Sequence, residues 1–333
     1  MSLLGHHPQI AAFRAALAGG RMHHAWLLIG RPGIGKARFA EAAALRWLAE
    51  GTGPIAAPAL DLPAEHPTAR YAAAGSHPDY RRLGRLFREK TGDHARSVTV
   101  EQVRGLQGLF ATTPGLSSRR AVVIDAIDDL ERSAANALLK NLEEPPADTI
   151  FLLVSHAPGR LLPTIRSRCR SLRFGPLDDA DVAAIARREQ PEADDREIAA
   201  LVRVGEGAAG QALRFAGLDI AGLDAAIDAI AQTGDPTNAA RSALAAKLAV
   251  KSAQPRYEAF LERAPARIAA AAREASGPAL ARALDLEAEA RSLASGAVRL
   301  SLDPQATVFA LGGMLAGLAP ARRDAKPGAD RRG

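Results

Sequence analysis

The chain has 333 residues, of which 47% are hydrophobic and only 4% aromatic, and its net charge is +6. This length allows two or three folded domains, and a composition dominated by Ala and Leu favours helices over sheet sandwiches. The single cysteine, Cys169, excludes an internal disulfide and a multi-cysteine zinc site, and no apolar run is long enough to cross a membrane. Residues 1–13 lack the basic start and apolar core of a signal peptide, so we expect a cytoplasmic protein without membrane contact.

The positive charge is a weak indication of nucleic-acid binding, because phosphate backbones attract basic proteins. Arginines spread over solvated helix faces explain the same excess, and we favour this interpretation slightly. One dense basic block, RRLGRLFREK, occupies residues 81–90, and a second basic stretch ends the chain.

A short amphipathic helix is predicted at residues 8–19, followed by a strand at Ala25–Ile29 and a long helix that ends near Glu50. Between strand and helix the sequence reads Gly30-Arg31-Pro32-Gly33-Ile34-Gly35-Lys36-Ala37, which matches the phosphate-binding pattern G-x-x-x-x-G-K-[ST] except at its last position. The glycines let backbone N–H groups approach phosphate oxygens, while the helix N-terminus and Lys36 add positive charge. Ala37 stands where a hydroxyl should hold Mg²⁺, so the pattern predicts the fold more strongly than it predicts hydrolysis.

Residues 51–76 are rich in Pro, Ala and Gly and show no periodicity that predicts an element. A strand is predicted to begin at His77-Pro78-Asp79-Tyr80, and a short β-like run lies at Ser97–Val100. Thr99 to Gln102 fits a capping box, which opens a helix carrying Val103, Leu106 and Leu109.

The apolar runs Ala121–Ile124 and Ile150–Val154 have the length and β-branched content of buried parallel strands, and they end at Asp125 and Ser155. A helix is predicted between them, at about residues 133–144, and Pro145 and Pro146 end it. In such a βαβ unit the carboxyl ends of the strands face the crevice where these sheets bind ligands. An Asp at this place commonly holds Mg²⁺ in nucleoside triphosphatases, but the next residue, Ala126, cannot activate a water molecule.

Gly175-Pro176 marks a boundary, after which three short helices are predicted at residues 178–188, 195–204 and 210–216. From about residue 218 the pattern is almost purely helical, with examples at residues 238–250, 256–274 and 279–293. Asp303-Pro304 caps a last helix that runs to about Leu318.

Two motifs, AANALLKNLEEPP at residues 134–146 and TIRSRC at residues 164–169, follow the incomplete phosphate loop. Together they resemble the clamp-loader branch of the AAA+ ATPases, and within it the family of delta-prime subunits of bacterial DNA polymerase III. The likeness covers residues 1 to about 175 well and the rest by length and helical character. It implies an α/β fold: an AAA+ P-loop doubly wound parallel sheet at 1–175 with a degenerate ATPase site, a three-helix lid at 176–217, an all-α collar domain at 218–320, and a disordered tail at 321–333.

The resemblance also implies roles for single residues. Arg168, in the Ser-Arg-Cys motif, corresponds to an arginine finger that reaches in trans into a neighbouring subunit's ATP site. Spacing alone favours a structural arginine paired with a nearby carboxylate, and this alternative stays open. Gly210 lies where active relatives have an arginine that reaches the γ-phosphate. Relatives often carry a four-cysteine zinc module near residues 51–76; the chain lacks these cysteines, and His66 and His77 are predicted to be surface residues, so no metal site is expected.

The candidate nucleotide-binding residues are Gly30, Gly33, Gly35, Lys36, Asp125 and Ser155. Lys36 either binds phosphate or pairs with Asp125, and Asp125 is either a former magnesium ligand or a cap for nearby backbone. Ser155 matches the position that senses a γ-phosphate in the family. Weak nucleotide binding and an empty loop are both compatible with these residues.

Three functions follow. The first is a non-hydrolysing clamp-loader subunit that requires no cofactor, while partner subunits bind ATP and Mg²⁺. Its partners would be the gamma/tau ATPase and delta subunits in a pentameric ring, the sliding clamp, and primer-template DNA held by the assembled ring. The second is an active AAA+ motor subunit of the same complex, which Ala37 and Ala126 disfavour. The third is a simple DNA-binding protein, indicated only by the basic charge.

Overall fold

The computed structural model describes residues 3–20, 22–89 and 92–319. The strands are β1 (Ala25–Ile29), β2 (Tyr80–Gly84), β3 (Phe87–Arg88), β4 (Asp93–His94), β5 (Arg120–Asp125), β6 (Thr149–Ser155) and β7 (Arg170–Arg173). The first helices are α1 (His7–Ala18), α2 (Lys36–Glu50), α3 (Pro67–Ala73), α4 (Val100–Arg104), α5 (Leu106–Phe110), α6 (Arg132–Glu143) and α7 (Pro163–Ser167). The later helices are α8 (Asp179–Glu189), α9 (Asp195–Gly205), α10 (Ala209–Arg214), α11 (Ile220–Thr233), α12 (Ala239–Leu248), α13 (Gln254–Glu274), α14 (Gly277–Arg299) and α15 (Pro304–Ala316). The predicted tail at 321–333 lies outside the described residues.

Five strands form one parallel sheet in the order β2-β5-β6-β1-β7. In the register, Ala25 of β1 lies opposite Phe151 of β6, and Trp26 lies opposite Arg170 of β7. Strands β1 and β6 are buried along their whole length, and β5 is buried up to its last residue. Near-continuous apolar strands of this kind belong to parallel sheets covered on both faces. The predicted α/β architecture is therefore confirmed.

Side chains of β1 alternate between two hydrophobic cores, one on each face of the sheet. Trp26 and Leu28 pack in the cluster that contains Phe13 of α1, whereas Leu27 packs in the cluster that contains Leu138 of α6. This alternation has the two-residue period of a strand. It also fixes the register, because a shift by one residue would exchange the two faces.

Parallel pairing brings the candidate residues to one edge of the sheet. Ile29, which precedes Gly30, lies opposite Ser155, and Asp125 lies opposite Val154. The carboxyl ends of β1, β5 and β6 therefore meet at this edge, as the βαβ pattern predicts.

Two local predictions are wrong. Residues 97–100 form no strand, because Val98 makes only an isolated bridge to Leu130. Thr99 instead caps α4, in the predicted capping box with Gln102. The single helix expected after this cap is divided into α4 and α5 at Gly105, a residue with poor helix propensity.

The surface position expected for His77 is also wrong, because this side chain is buried and its Nδ1 atom accepts the N–H of Asp79. Asp79 is buried as well, and its carboxylate accepts N–H groups from Gly115, Leu116 and Ser117 at 2.6, 2.8 and 2.9 Å. Burial raises the pKa of Asp79, but these three hydrogen bonds outweigh it and hold the pKa below its usual value. Asp79 thereby joins the start of β2 to the loop before β5.

Residue contacts divide the chain into two units, residues 1–189 with 202–214 and residues 190–201 with 215–333. The first unit contains the sheet. In the second, ion pairs Arg263–Asp224 and Arg267–Asp228, both 2.6 Å long, join α13 to α11. The three helices predicted for residues 176–217 are present as α8, α9 and α10 within two residues of their expected bounds. Because both units share this segment, a separate lid and collar stay predictions. In the described part of the chain, no helix has the length and hydropathy needed to span a bilayer.

Asp79→Asn tests the role of this carboxylate. We expect the variant to lose about 2 kcal/mol of unfolding free energy at pH 7, since three hydrogen bonds lose their charged acceptor. The pKa of Asp79 is depressed in the folded chain, so its contribution is complete above the unfolded pKa of about 4 and disappears as pH falls through the folded pKa. Urea unfolding at pH 7 and below pH 3 measures both values. An equal deficit at both pH values would contradict the prediction.

Candidate functional site

The glycine-rich loop between β1 and α2 depends on glycine at three positions. Gly33 and Gly35 have φ values of +79° and +97°, which lie in the left-handed region that side chains disfavour. A Cβ atom on Gly30 would lie 2.5 Å from Ile34 Cδ1 and 2.7 Å from the Phe174 carbonyl oxygen. The sequence therefore folds here into the strand–loop–helix that the motif predicts.

The Lys36 side chain turns back onto its own loop. Its ammonium donates to the carbonyl oxygens of Gly30 and Arg31 at 2.7 and 2.6 Å, and the residue is only 2% exposed. Burial lowers the pKa of Lys36 to about 8, although the charges of Asp125 and Asp128 oppose this shift. Neither alternative from the sequence, a phosphate ligand or an ion pair with Asp125, describes these contacts.

Asp125 has a partner that the sequence motif does not contain. Its Oδ2 atom accepts a hydrogen bond from Arg82 Nη2 at 3.0 Å. Arg82 lies on β2, which is the strand next to β5 in the sheet. The carboxylate at the end of β5 is thus neutralised by a guanidinium from within the chain.

Ser155 is fully buried, and its hydroxyl donates to Asp128 Oδ1 at 2.9 Å. The Asp128 carboxylate also accepts the N–H groups of His156 and Ala157, at 2.6 and 3.2 Å. Ser155 and Asp128 therefore fix the segment that follows β6. His156, which the motif analysis did not select, lines the cavity beside the loop together with Lys36, and burial lowers the pKa of His156.

The cavity beside the glycine-rich loop has a volume of about 750 Å³. Its walls include apolar side chains from α2, from residues 60–62 and from helices α8 and α10, among them Leu45, Leu60, Ile185 and Leu213. This volume lies within the range of small-molecule sites. The glycine-rich loop and Lys36 line one part of this cavity, and these apolar side chains line another.

The loop's outer carbonyl groups are also bound. Gly210 N, in the first turn of α10, donates to Gly33 O at 2.8 Å, and His6 Nε2 lies 2.5 Å from Ile34 O. Because a carbonyl only accepts, Nε2 of His6 carries the proton of that hydrogen bond. A Cβ atom on Gly210 would lie 2.9 Å from Gly33 Cα. The position where active relatives have an arginine is therefore too close to the loop for any side chain.

These residues do not fit the Mg²⁺ complex of ATP in a hydrolytic arrangement. The Lys36 ammonium is bound to carbonyl groups, the Asp125 carboxylate to Arg82, and position 37 offers a methyl group in place of a hydroxyl. Ala126 is 4% exposed and has no acid–base group. No hydrolytic step can be derived from this set.

Arg168 lies on the surface at the end of α7 and does not line the cavity. Its Nη2 atom is 2.8 Å from Glu143 Oε1, and its Nη1 atom donates to Thr164 O at 3.0 Å. The side chains of Arg168 and Glu143 are 35% and 47% exposed. The guanidinium is thus accessible, as a finger requires, and it also has the carboxylate partner of the structural alternative. Burial raises the pKa of the adjacent Cys169 thiol to about 12, so this residue is no thiolate nucleophile at neutral pH.

Sequence comparison now identifies the family. A family described as "DNA polymerase III, delta subunit" matches residues 5–178, which is just over half of the chain. The chain belongs to this family. Subunit delta' of DNA polymerase III from Pseudomonas aeruginosa is 42% identical over 164 residues, covering 49% of this chain and 47% of that protein. Proteins of the same name from other bacteria also match, so the likeness to delta-prime subunits is confirmed.

Two further likenesses concern related subunits. DNA polymerase III subunit tau from Salmonella typhimurium is 31% identical over 232 residues, covering 67% of this chain and 33% of that protein. A solved DNA polymerase III gamma subunit-related protein from Thermotoga maritima aligns over 92% of this chain and 99% of its own, with 17% identity and a TM-score of 0.47. The chain spans about half the length of the delta-prime relative described above. With the parallel sheet, the P-loop and the helical C-terminal part, the predicted AAA+ α/β fold class is confirmed.

The sequence motifs do not indicate five residues of this region: Arg82, Asp128, His6, His156, and Glu143 as the partner of Arg168. Asp128 follows β5 closely, but no sequence motif marks it as the acceptor for the Ser155 hydroxyl. For Arg82, Glu143 and His6 the sequence contains no local signal, because their partners are 25 to 43 residues away.

Gly210→Ala tests the close approach of α10 to the loop. Gly→Ala inside a helix normally stabilises by about 0.5–1 kcal/mol. Here the added methyl group meets Gly33, so we expect a loss of about 1–3 kcal/mol in unfolding free energy. The matched control is Gly108→Ala in α5, where nothing lies within 4 Å of the added Cβ. Chemical unfolding of both variants gives the comparison, and equal stabilisation of the two would contradict the contact.

Proposed function

We propose that this chain is a non-hydrolysing subunit of a DNA polymerase III clamp loader, in which Arg168 acts in trans at the ATP site of a neighbouring subunit. Membership of the family supports the complex, and the likeness to a tau subunit supports a relationship with its ATPase subunits. The proposal includes a cytoplasmic pentameric ring with gamma/tau and delta subunits. This ring would open the sliding clamp and place it on primer-template DNA.

The observation that carries the proposal is the accessible guanidinium of Arg168. A guanidinium remains charged at any physiological pH, and its planar fork can bind two phosphate oxygens at once. Its present partner is Glu143, at 2.8 Å, in a pair that is about one-third to one-half exposed. An exposed ion pair contributes about 0–1 kcal/mol, so replacing the carboxylate by phosphate oxygens loses little free energy.

The state of the chain's own loop supports a non-hydrolysing role. Hydrolysis of ATP transfers its terminal phosphoryl group to water, and this needs Mg²⁺, an activated water molecule and a free lysine ammonium near the terminal phosphates. Ala37 and Ala126 remove the first two requirements, and the hydrogen bonds of Lys36 remove the third. In this proposal the chain needs no cofactor, and ATP with Mg²⁺ is bound by the partner subunits.

The cavity supports a more limited role for nucleotide. Its apolar walls suit a planar base, and the loop retains Gly30, Gly33 and Gly35. Phosphates would have to displace Lys36 from its two carbonyl partners. We therefore propose weak nucleotide binding at most, without turnover. The alternative function, an active motor subunit, would draw on the same cavity but requires groups that positions 37 and 126 do not supply.

Arg168→Ala in a reconstituted complex tests the proposal. We expect ATP hydrolysis at the site that faces this chain to fall by roughly 10³-fold or more, because an arginine finger contributes about that factor in other NTPases. Arg166→Ala is the matched control, since Arg166 lies exposed on the same helix two residues earlier. Size-exclusion chromatography should show both variants in the assembled ring.

Steady-state and single-turnover ATPase measurements give the readout. The proposal predicts a loss for Arg168→Ala and an unchanged rate for Arg166→Ala. Unmutated rates in both assembled complexes would contradict the assignment of Arg168.

A further inference from the structure

Strands β3 and β4 form a small antiparallel ribbon that the proposed function leaves unused. The ribbon follows β2, which lies at one end of the five-stranded sheet. Phe87 pairs with His94, and Arg88 pairs with Asp93. Ala95 N donates to Leu86 O at 2.7 Å, which closes the ribbon at its base. The backbone of this segment is therefore held by hydrogen bonds between its two strands.

The apolar side chains of the ribbon face solvent. Leu86 is 60% exposed and Phe87 is 57% exposed. The Phe87 ring contacts the ring of His94, which is also exposed, with centroids 5.3 Å apart. Single exposed apolar residues are ordinary, but two adjacent large ones on a short ribbon indicate a contact surface.

The same segment is strongly basic. Residues 81–96 contain six basic residues and two acidic ones. Arg85 is paired with Asp129 at 3.2 Å, which connects the start of the ribbon to the segment that follows β5. Within the described ranges, the hydrogen bonds of Arg81 go to backbone carbonyl oxygens, of which Tyr80 O is nearest at 2.8 Å, and no carboxylate there pairs with its guanidinium. Arg96 is exposed to solvent.

We propose that this ribbon binds single-stranded DNA, with Phe87 stacking on a base and Arg81 and Arg96 contacting phosphates. An exposed aromatic ring beside basic side chains is the arrangement by which proteins hold single strands without reading their sequence. A single strand fits better than a duplex, because only an unpaired base offers its face to a ring. Leu86 and Phe87 could also fill an apolar pocket of another protein, but such a contact would not explain the positive charge around them. The inference rests on the proposed function for the choice of DNA, and its test does not require the assembled ring.

Fluorescence anisotropy of the full chain with a labelled oligothymidylate, at about 50 mM salt, tests the stacking contact. We expect Phe87→Leu to weaken binding roughly tenfold, because stacking on an aromatic ring contributes about that factor. Phe87→Trp should bind as tightly as the unmutated chain. The matched control is Tyr71→Leu on α3, an aromatic residue that is 47% exposed outside the ribbon, and it should leave binding unchanged.

The charge contribution has its own readout. Arg96→Ala should weaken binding and reduce the slope of log K against log salt by roughly 0.7, the value for one phosphate contact on a single strand. Thermal unfolding should be unchanged for Phe87→Leu, since the ring packs in neither core of the sheet unit.

Three outcomes would overturn the inference: no binding of oligothymidylate by the chain, equal binding by Phe87→Leu, or an equal loss for Tyr71→Leu. If Phe87→Leu binds oligothymidylate as tightly as the unmutated chain and also binds the sliding clamp, the ribbon is an apolar contact surface for protein instead. Loss of ATPase with Arg168→Ala is independent of these results, so failure of the ribbon and failure of the proposed function are distinguishable.

Discussion

Two hydrogen bonds from the Lys36 ammonium to the carbonyl groups of Gly30 and Arg31 determine the state of the phosphate loop. A buried ammonium needs acceptors, and the loop provides them from its own backbone. Gly210 N and His6 bind the next carbonyl groups along the loop, at Gly33 and Ile34. The loop is thus closed by contacts within the chain, and a phosphate would have to compete with them.

The other polar groups at the sheet edge are also bound by groups of the same chain. Asp125 is paired with Arg82, and Ser155 is bonded to Asp128, so each former candidate for ATP chemistry has an internal partner. Arg168 differs, because its partner Glu143 lies on the surface and both side chains remain accessible. Arg168 also lies outside the chain's own cavity. The polar groups at the sheet edge are therefore held by contacts within the chain, whereas the Arg168 guanidinium remains accessible at the surface.

The sequence predicted the elements that depend on local pattern. It did not predict the side-chain contacts that depend on residues distant in the chain. The apolar runs of β1, β5 and β6 identified the sheet, and the motif identified the loop, because strand burial and glycine geometry are encoded within a few residues. Residues 97–100 include three β-branched side chains, yet only Val98 pairs, in an isolated bridge to Leu130, and Val100 already begins α4. His77 is buried and accepts the Asp79 N–H, while Asp79 binds the loop at 115–117, a long-range contact that no local pattern contains. The partners of Lys36 and Arg168 depend on side-chain geometry, which no spacing rule contains.

The most direct test of this account is steady-state ATP turnover by the isolated chain in the presence of Mg²⁺, compared with its Lys36→Ala variant. The account predicts that neither protein hydrolyses ATP above background, because Ala37, Ala126 and the bound Lys36 leave no hydrolytic arrangement. Steady hydrolysis by the unmutated chain that Lys36→Ala abolishes would contradict it.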